Sequence, residues 1–168
     1  MDLRHEVSFS LLSPMTMEQA KEFVVDVPAS LRFADFLAEL QVLTGQPPVV
    51  SAAIPVSAAM FGQRELPFRS ELHLTAAGAR LVPLVIEPEG PGWAEVAGEA
   101  KVSDLGRDRR LDYSFEVAVH LRLPPAERWG TQALVRMIEF TAQTVLRRVT
   151  AQLPEAVSRA AGVRTVVA

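Results

Sequence analysis

The chain of 168 residues contains no cysteine. That removes disulfide staples, thiolate nucleophiles and cysteine-ligated zinc or iron–sulfur centres from consideration. Lysine is almost as scarce, with Lys21 and Lys101 standing among 17 basic residues, which reads as the compositional bias of a GC-rich genome. A net charge of −3 gives no concentrated basic face for neutralising phosphates, so no nucleic-acid partner is expected. Arg107, Arg109 and Arg110, interrupted by Asp108 and next to Gly106, read as a solvated turn. No stretch approaches the roughly 18 consecutive apolar residues of a membrane span. Asp2, Arg4, His5 and Glu6 break up the first residues, unlike a secretory leader. A cytoplasmic location is therefore expected.

Familiar catalytic and metal motifs are missing as well. The three histidines His5, His73 and His120 are too far apart for metal-ligand spacing. Glu65, Glu71, Glu95, Glu99 and Glu116 read as outer-face strand charges, none paired as glycosidase carboxylates would be. The segment from Pro88 to Gly92 leads into a strand and not a helix, so it is no phosphate loop, and no nucleophile elbow occurs. No metal and no cofactor is expected, and no residue is assigned a catalytic role.

What the chain does contain is alternation. Leu3, His5, Val7, Phe9 and Leu11 interleave with Arg4, Glu6, Ser8 and Ser10, the period-2 signature of a half-buried strand. Thr16 with Gln19 fits a capping box that opens a short helix over Met17 to Val25. Asp26, Pro28 and Ser30 offer caps for a second helix, in which Leu31, Phe33, Ala34, Leu37 and Leu40 recur at helical spacing. Val49 to Phe61 is β-branched and broken by Pro55, so it predicts two short strands or one bent edge strand. Leu66 to Leu74 alternates, and Gly78 reverses it into Ala79 to Ile86 as a hairpin. Trp93 to Ser103 and Leu111 to Leu123 form a longer hairpin across Gly106 and Asp108. Trp93 and Trp129, at element starts, read as structural caps.

Pro124 and Pro125 introduce a final helix from about Glu127 to Gln152, roughly 26 residues or about 39 Å. Leu134, Met137, Ile138, Thr141, Ala142, Val145 and Val149 share one side of it, and Arg136, Glu139, Gln143, Arg147 and Thr150 the other. Pro154 is expected to break or kink it, with a frayed tail after Gly162. The expected unit is one domain over residues 1–153, with 154–168 as a helical extension and tail. Its class is α+β: a curled antiparallel sheet of about seven strands covering a long C-terminal helix, with two short helices after the first strand.

That order resembles the START-like helix-grip superfamily, also called SRPBCC, which includes Bet v allergens, polyketide cyclases and CoxG-like proteins, the last being the most similar. The likeness is carried by Val7 to Thr16 running into the first helix, by the Ser30 to Leu40 segment, and by Trp129, Gly130, Thr131 and Gln132 opening the last helix. It covers the chain to about Leu153 and rests on element order. The resemblance implies a cavity between sheet and last helix for lipids, sterols, polyketides or other apolar ligands.

If the curled sheet leaves such a cavity, its expected lining is Phe9, Phe68, Leu72, Val96, Tyr113, Phe115 and Val117 from the strands, with Met137, Thr141 and Val145 from the helix. The bland alternative is that these side chains pack together. Ala94, Gly98 and Ala100 remove volume and favour some space. His5 and Arg148 are the candidate polar residues, one as acid or base and the other for an anionic head group; the favoured reading is a hydrogen-bonded strand-end histidine for His5 and a side chain reaching water for Arg148. The expected function is binding of a small hydrophobic or amphipathic ligand. The alternatives are a cyclase-like or hydrolase-like enzyme in the same cavity, or a structural module that dimerises through the convex side of the sheet, where Leu81 to Ile86 is apolar on both faces.

Overall fold

A computed structural model describes residues 1–58, 62–87, 90, 92–122, 131–163 and 165–167. The first strand, β1, runs over Asp2–Ser13 and is followed by two short helices, α1 at Met17–Val25 and α2 at Val27–Ser30. Strands β2 (Ala38–Leu43), β3 (Val49–Ala58), β4 (Gly62–Thr75), β5 (Gly78–Pro83), β6 (Gly92–Asp104) and β7 (Arg109–Leu121) come next. The helix α3 spans Thr131–Ala161, and a short strand β8, Thr165–Val167, closes the chain. The eight strands among the described residues form one sheet in the order β2-β3-β4-β5-β6-β7-β1-β8, with every pairing antiparallel.

Local chemistry explains the start of the chain. The Gln19 N–H donates to Thr16 Oγ1 at 3.2 Å, and the Thr16 N–H donates to Gln19 Oε1 at 3.0 Å, completing the expected capping box. Asp26 ends α1 and caps α2, accepting from the Ala29 N–H at 3.1 Å.

The second helix differs from expectation. It is the four residues Val27–Ser30, and the Ser30 to Leu40 segment, helical in its spacing, instead turns and enters β2. A helix nucleus is costly to form in so short a segment, whereas the open side of β3 offers backbone partners, with Ala38 opposite Ala53 and Leu43 opposite Val49. The register shifts between Ala38 and Gln41, where Glu39 takes a φ of 54°. Val49–Ala58 is one strand, and Pro55 is tolerated because it lies beyond Ala53, the last β3 residue that β2 pairs.

The α3 helix packs against β1 and β8 at one end of the sheet and β3 at the other, so the sheet curls around it. Its apolar stripe is buried from Ala142 onward through Val145, Leu146, Val149, Leu153 and Val157. Thr150, expected outside, is buried, and its hydroxyl is satisfied by donating to the Leu146 carbonyl at 3.0 Å. The helix continues through Pro154, and residues 154–161 bury Ala156, Val157 and Ala160. Gly162, at φ 70°, adopts the left-handed conformation that lets the Val163 N–H reach the Ser158 carbonyl at 3.0 Å. In place of the frayed tail expected after Gly162, β8 pairs with Ser10 and Leu11 of β1. The expected helix start from Glu127 to Gly130, including Trp129, lies outside the described residues, as do Pro88, Pro91, Pro124 and Pro125.

Candidate functional site

The pairing of β6 with β7 decides how much room is left inside. Gly98 stands opposite Phe115 and Ala100 opposite Tyr113. A Cβ at position 98 would lie 2.6 Å from the Phe115 ring, so the space that Gly98 releases is taken by that ring. Phe9, Tyr113 and Phe115 stack in a row, with centroid separations of 5.0 Å and 6.0 Å. The small residues of β6 therefore make room for aromatics from β7 more than for solvent.

A cavity of about 40 Å³ remains between the sheet and the helices. Leu72, Ala79, Leu81, Gly98, Glu99, Ala100, Tyr113 and Phe115 wall it on the strand side; Val24, Val27, Ser30, Leu31 and Val157 close it from the helical side. The cavity exceeds the ~15 Å³ that one water needs, and falls far below the ~300 Å³ or more of a typical ligand site.

Its polar centre is Tyr113, the only tyrosine in the chain. The phenol is buried, and among the described residues its hydroxyl has no partner in good hydrogen-bond geometry. Burial pushes its pKa well above the ordinary 10.0, and the nearby Ser30 hydroxyl opposes that shift only in part. Ser30, which also lines the cavity, donates its own hydroxyl proton to the Phe23 carbonyl and lies near enough to the phenol to offset part of the effect of burial. A protonated phenol in a largely apolar wall is a hydrogen-bond donor waiting for an acceptor.

Of the expected lining, Leu72, Tyr113 and Phe115 meet at this cavity, and Phe9 joins them by stacking on Tyr113. Phe68, Val96, Val117 and Val145 are buried elsewhere in the core. Met137, 36% exposed, is not among the residues that line this cavity, and the Thr141 hydroxyl turns back along its own helix to donate to the Met137 carbonyl at 2.9 Å. His5 and Arg148 are exposed and stand away from the cavity. The helical contribution comes instead from Val24, Val27, Ser30, Leu31 and Val157. Val24 and Val27 flank the Asp26 cap, and their apolar character beside a chain reversal was the available signal.

The other histidines, His73 and His120, are half-buried and lie beside carboxylates. His73 Nε2 lies 2.9 Å from Glu71, and His120 Nδ1 lies 2.8 Å from Asp2 while its ring stacks on Trp93 at 4.8 Å. A wider open depression of about 640 Å³ lies on the outer face of β1, β7 and β6. Its charges are already matched: Lys101 and Arg80 both hold Glu99, at 3.1 Å and 3.2 Å, and Arg110 holds Asp112 at 2.7 Å. Hydrogen bonds from Lys101 and then Arg80 keep the Glu99 carboxyl below its usual range. Among the described residues no cluster of histidine and carboxylates could hold a metal ion, and no helix is long and apolar enough to cross a membrane.

The profile of DUF3809, "Protein of unknown function", matches residues 8–151. The chain belongs to the DUF3809 family. No curated protein matches it. Among solved structures, the chain is similar to TTHA0849 from Thermus thermophilus, at 14% identity and a TM-score of 0.50, with 94% of this chain and 97% of that chain covered. SA2116 from Staphylococcus aureus, a protein of unknown function, is 8% identical with a TM-score of 0.50 over 96% of this chain and 95% of that one. The di-domain ARO/CYC StfQ from the steffimycin biosynthetic pathway is 15% identical with a TM-score of 0.53, covering 95% of this chain and 50% of that one. At these identities the likeness carries the fold alone, and it agrees with the architecture above. The DUF3809 chain has the START-like helix-grip fold.

Proposed function

We propose that the protein binds a small apolar or amphipathic molecule between the sheet and the helices, with the Tyr113 hydroxyl donating to the ligand's one polar acceptor. The observation that carries this reading is a buried phenol with no hydrogen-bond partner of good geometry among the described residues, set in a wall that is apolar apart from Ser30 and Glu99. Leaving such a group without a partner costs about 1–3 kcal/mol, and a carbonyl or ether oxygen in the cavity would recover that loss. The space is too small for a ligand of ordinary size as it stands. Entry requires the half-buried Phe115 ring to swing off Gly98, or the α1–α2 reversal at Asp26 to lift.

The phenol also limits the enzymatic alternative. With its pKa raised, Tyr113 stays protonated at neutral pH and can polarise a ligand carbonyl or act as an acid, but it cannot serve as the resting base. Titration with 1-anilinonaphthalene-8-sulfonate, together with native mass spectrometry of the purified protein, tests the binding reading. Saturable one-to-one uptake is expected, weakened roughly tenfold or less in Y113F and abolished in A100L, which fills the cavity. Unchanged binding in both variants would place the probe elsewhere and remove the basis of the reading.

A further inference from the structure

The free edge of β1 has a sequence that is complementary to itself. Leu121 and Met1 bond across the β7–β1 ladder, with the Leu121 N–H donating to the Met1 carbonyl at 2.9 Å. Bonded pairs alternate in an antiparallel ladder, so odd-numbered residues of β1 bond to β7. The N–H and C=O groups of Asp2, Arg4, Glu6 and Ser8 therefore point away from β7 into the open edge. Among the described residues, β8 covers that edge only at Ser10 and Leu11. Asp2, Arg4, His5, Glu6 and Ser8 are exposed, and Leu3 and Val7 are half-buried. Edges of this length are usually blunted by proline, lysine or a bulge. Residues 2–9 have neither residue, and their register with β7 is unbroken.

We propose that a second copy of this chain pairs with this edge, β1 against β1, antiparallel about a twofold axis at His5. Arg4 then lies opposite the mate's Glu6, Glu6 opposite its Arg4, Leu3 opposite its Val7, and Asp2 opposite its Ser8. Each outward-pointing backbone group of Asp2, Arg4, Glu6 and Ser8 meets a matching one, because these four fall on the bonded positions of the new ladder. Charge selects this register over its neighbours. An axis at Arg4 opposes two guanidiniums and sets Asp2 against Glu6, and an axis at Glu6 opposes two carboxylates; like charges directly opposite are destabilising. An axis between residues would put outward positions against inward ones.

The monomer also leaves a charge for the mate to neutralise. Glu6 stands directly opposite Glu116 across the β1–β7 ladder. Arg4 bridges Glu116 at 3.3 Å, and Glu6 has no cation at bonding distance among the described residues. The mate's Arg4 would supply it. The interface is isologous, as a twofold contact must be, and extends the sheet edge to edge instead of stacking its convex face.

Sedimentation velocity across a wide concentration range tests this on the full chain. The wild type is expected to shift reversibly from monomer to dimer with increasing concentration, weakly, because one short strand pair buries little area. R4E and E6R should each raise the dimer Kd by roughly tenfold or more, while an equimolar mixture of the two restores association, since carboxylates then face guanidiniums across the axis. E6R carries a second signature. It removes the Glu6–Glu116 repulsion within one chain, so its thermal midpoint should hold or rise while its dimer weakens. If R4E fails to fold without its bridge to Glu116, E6Q and E6R carry the same test alone. A wild type that stays monomeric at every concentration would overturn the proposal. So would variants that dimerise like wild type, or a mixture that fails to regain association.

Discussion

The two halves of α3 carry the same kind of amphipathic pattern and have opposite fates. From Ala142 to Ala160 the stripe is buried, with Val157 fully shielded and Leu146 and Val149 nearly so. In the first turns Leu134, Val135 and Ile138 are only half-buried, Met137 is 36% exposed and Phe140 70% exposed. Periodicity along a helix identifies the face that could be buried, but it does not say how much of that face has anything to lie against. The C-terminal half has partners from several directions. Arg32 Nη2 donates to the Ala160 carbonyl at 3.0 Å, and Arg32 and Arg159 both lie over the Phe33 ring, at 5.0 Å and 4.6 Å. Helix stability here is thus mostly a property of the last four or five turns.

Truncating one residue in each half breaks or sharpens that contrast. L146A should cost about 3 kcal/mol in chemical denaturation, the range for a fully buried leucine, and I138A about 1 kcal/mol or less. Equal losses would mean that both halves are packed alike. A smaller effect is expected from Tyr113, which the buried half helps to enclose through Val157. Its folded pKa is raised above the unfolded 10.0, so its contribution is complete below pH 10 and is lost as pH rises toward the folded value. The wild type should lose about 1.4 kcal/mol for each unit above pH 10. Y113F should lack that component, and matching alkaline unfolding curves for the two proteins would refute the burial argument. The smallest change is expected at the surface: F140S should alter stability by no more than ~0.5 kcal/mol. A larger loss would show that Phe140 is covered in solution.

Much of this architecture is readable without any coordinates. The alternation of Leu3 to Leu11 marks β1, the Thr16–Gln19 spacing marks the first cap, and the β6–β7 hairpin follows from its turn residues. The candidate site is less legible. Tyr113, Phe115 and Leu72 are expected to meet and do, but Gly98 suggests empty space, and a residue from the neighbouring strand fills it. Helical phase puts Met137 and Thr141 on the buried side, yet Met137 is exposed and Thr141 only half-buried. Val24 and Val27 give only the weak signal of apolar residues beside the Asp26 cap, because what puts them and Ser30 at the cavity is the reversal at Asp26 and the way α1 lies over β5, β6 and β7.

By itself the sequence determined which residues alternate, where helices can start, and which face of each element is apolar, since those properties depend on neighbours within a few positions along the chain. The tertiary structure alone decided that Ala38–Leu43 is a strand, that Thr165–Val167 joins β1, that the Phe115 ring occupies the volume left by Gly98, and that only part of α3 is covered. Each of these turns on a partner far away in the chain. Pairing partners and filled volume are set when distant segments meet, and local periodicity contains no record of that meeting.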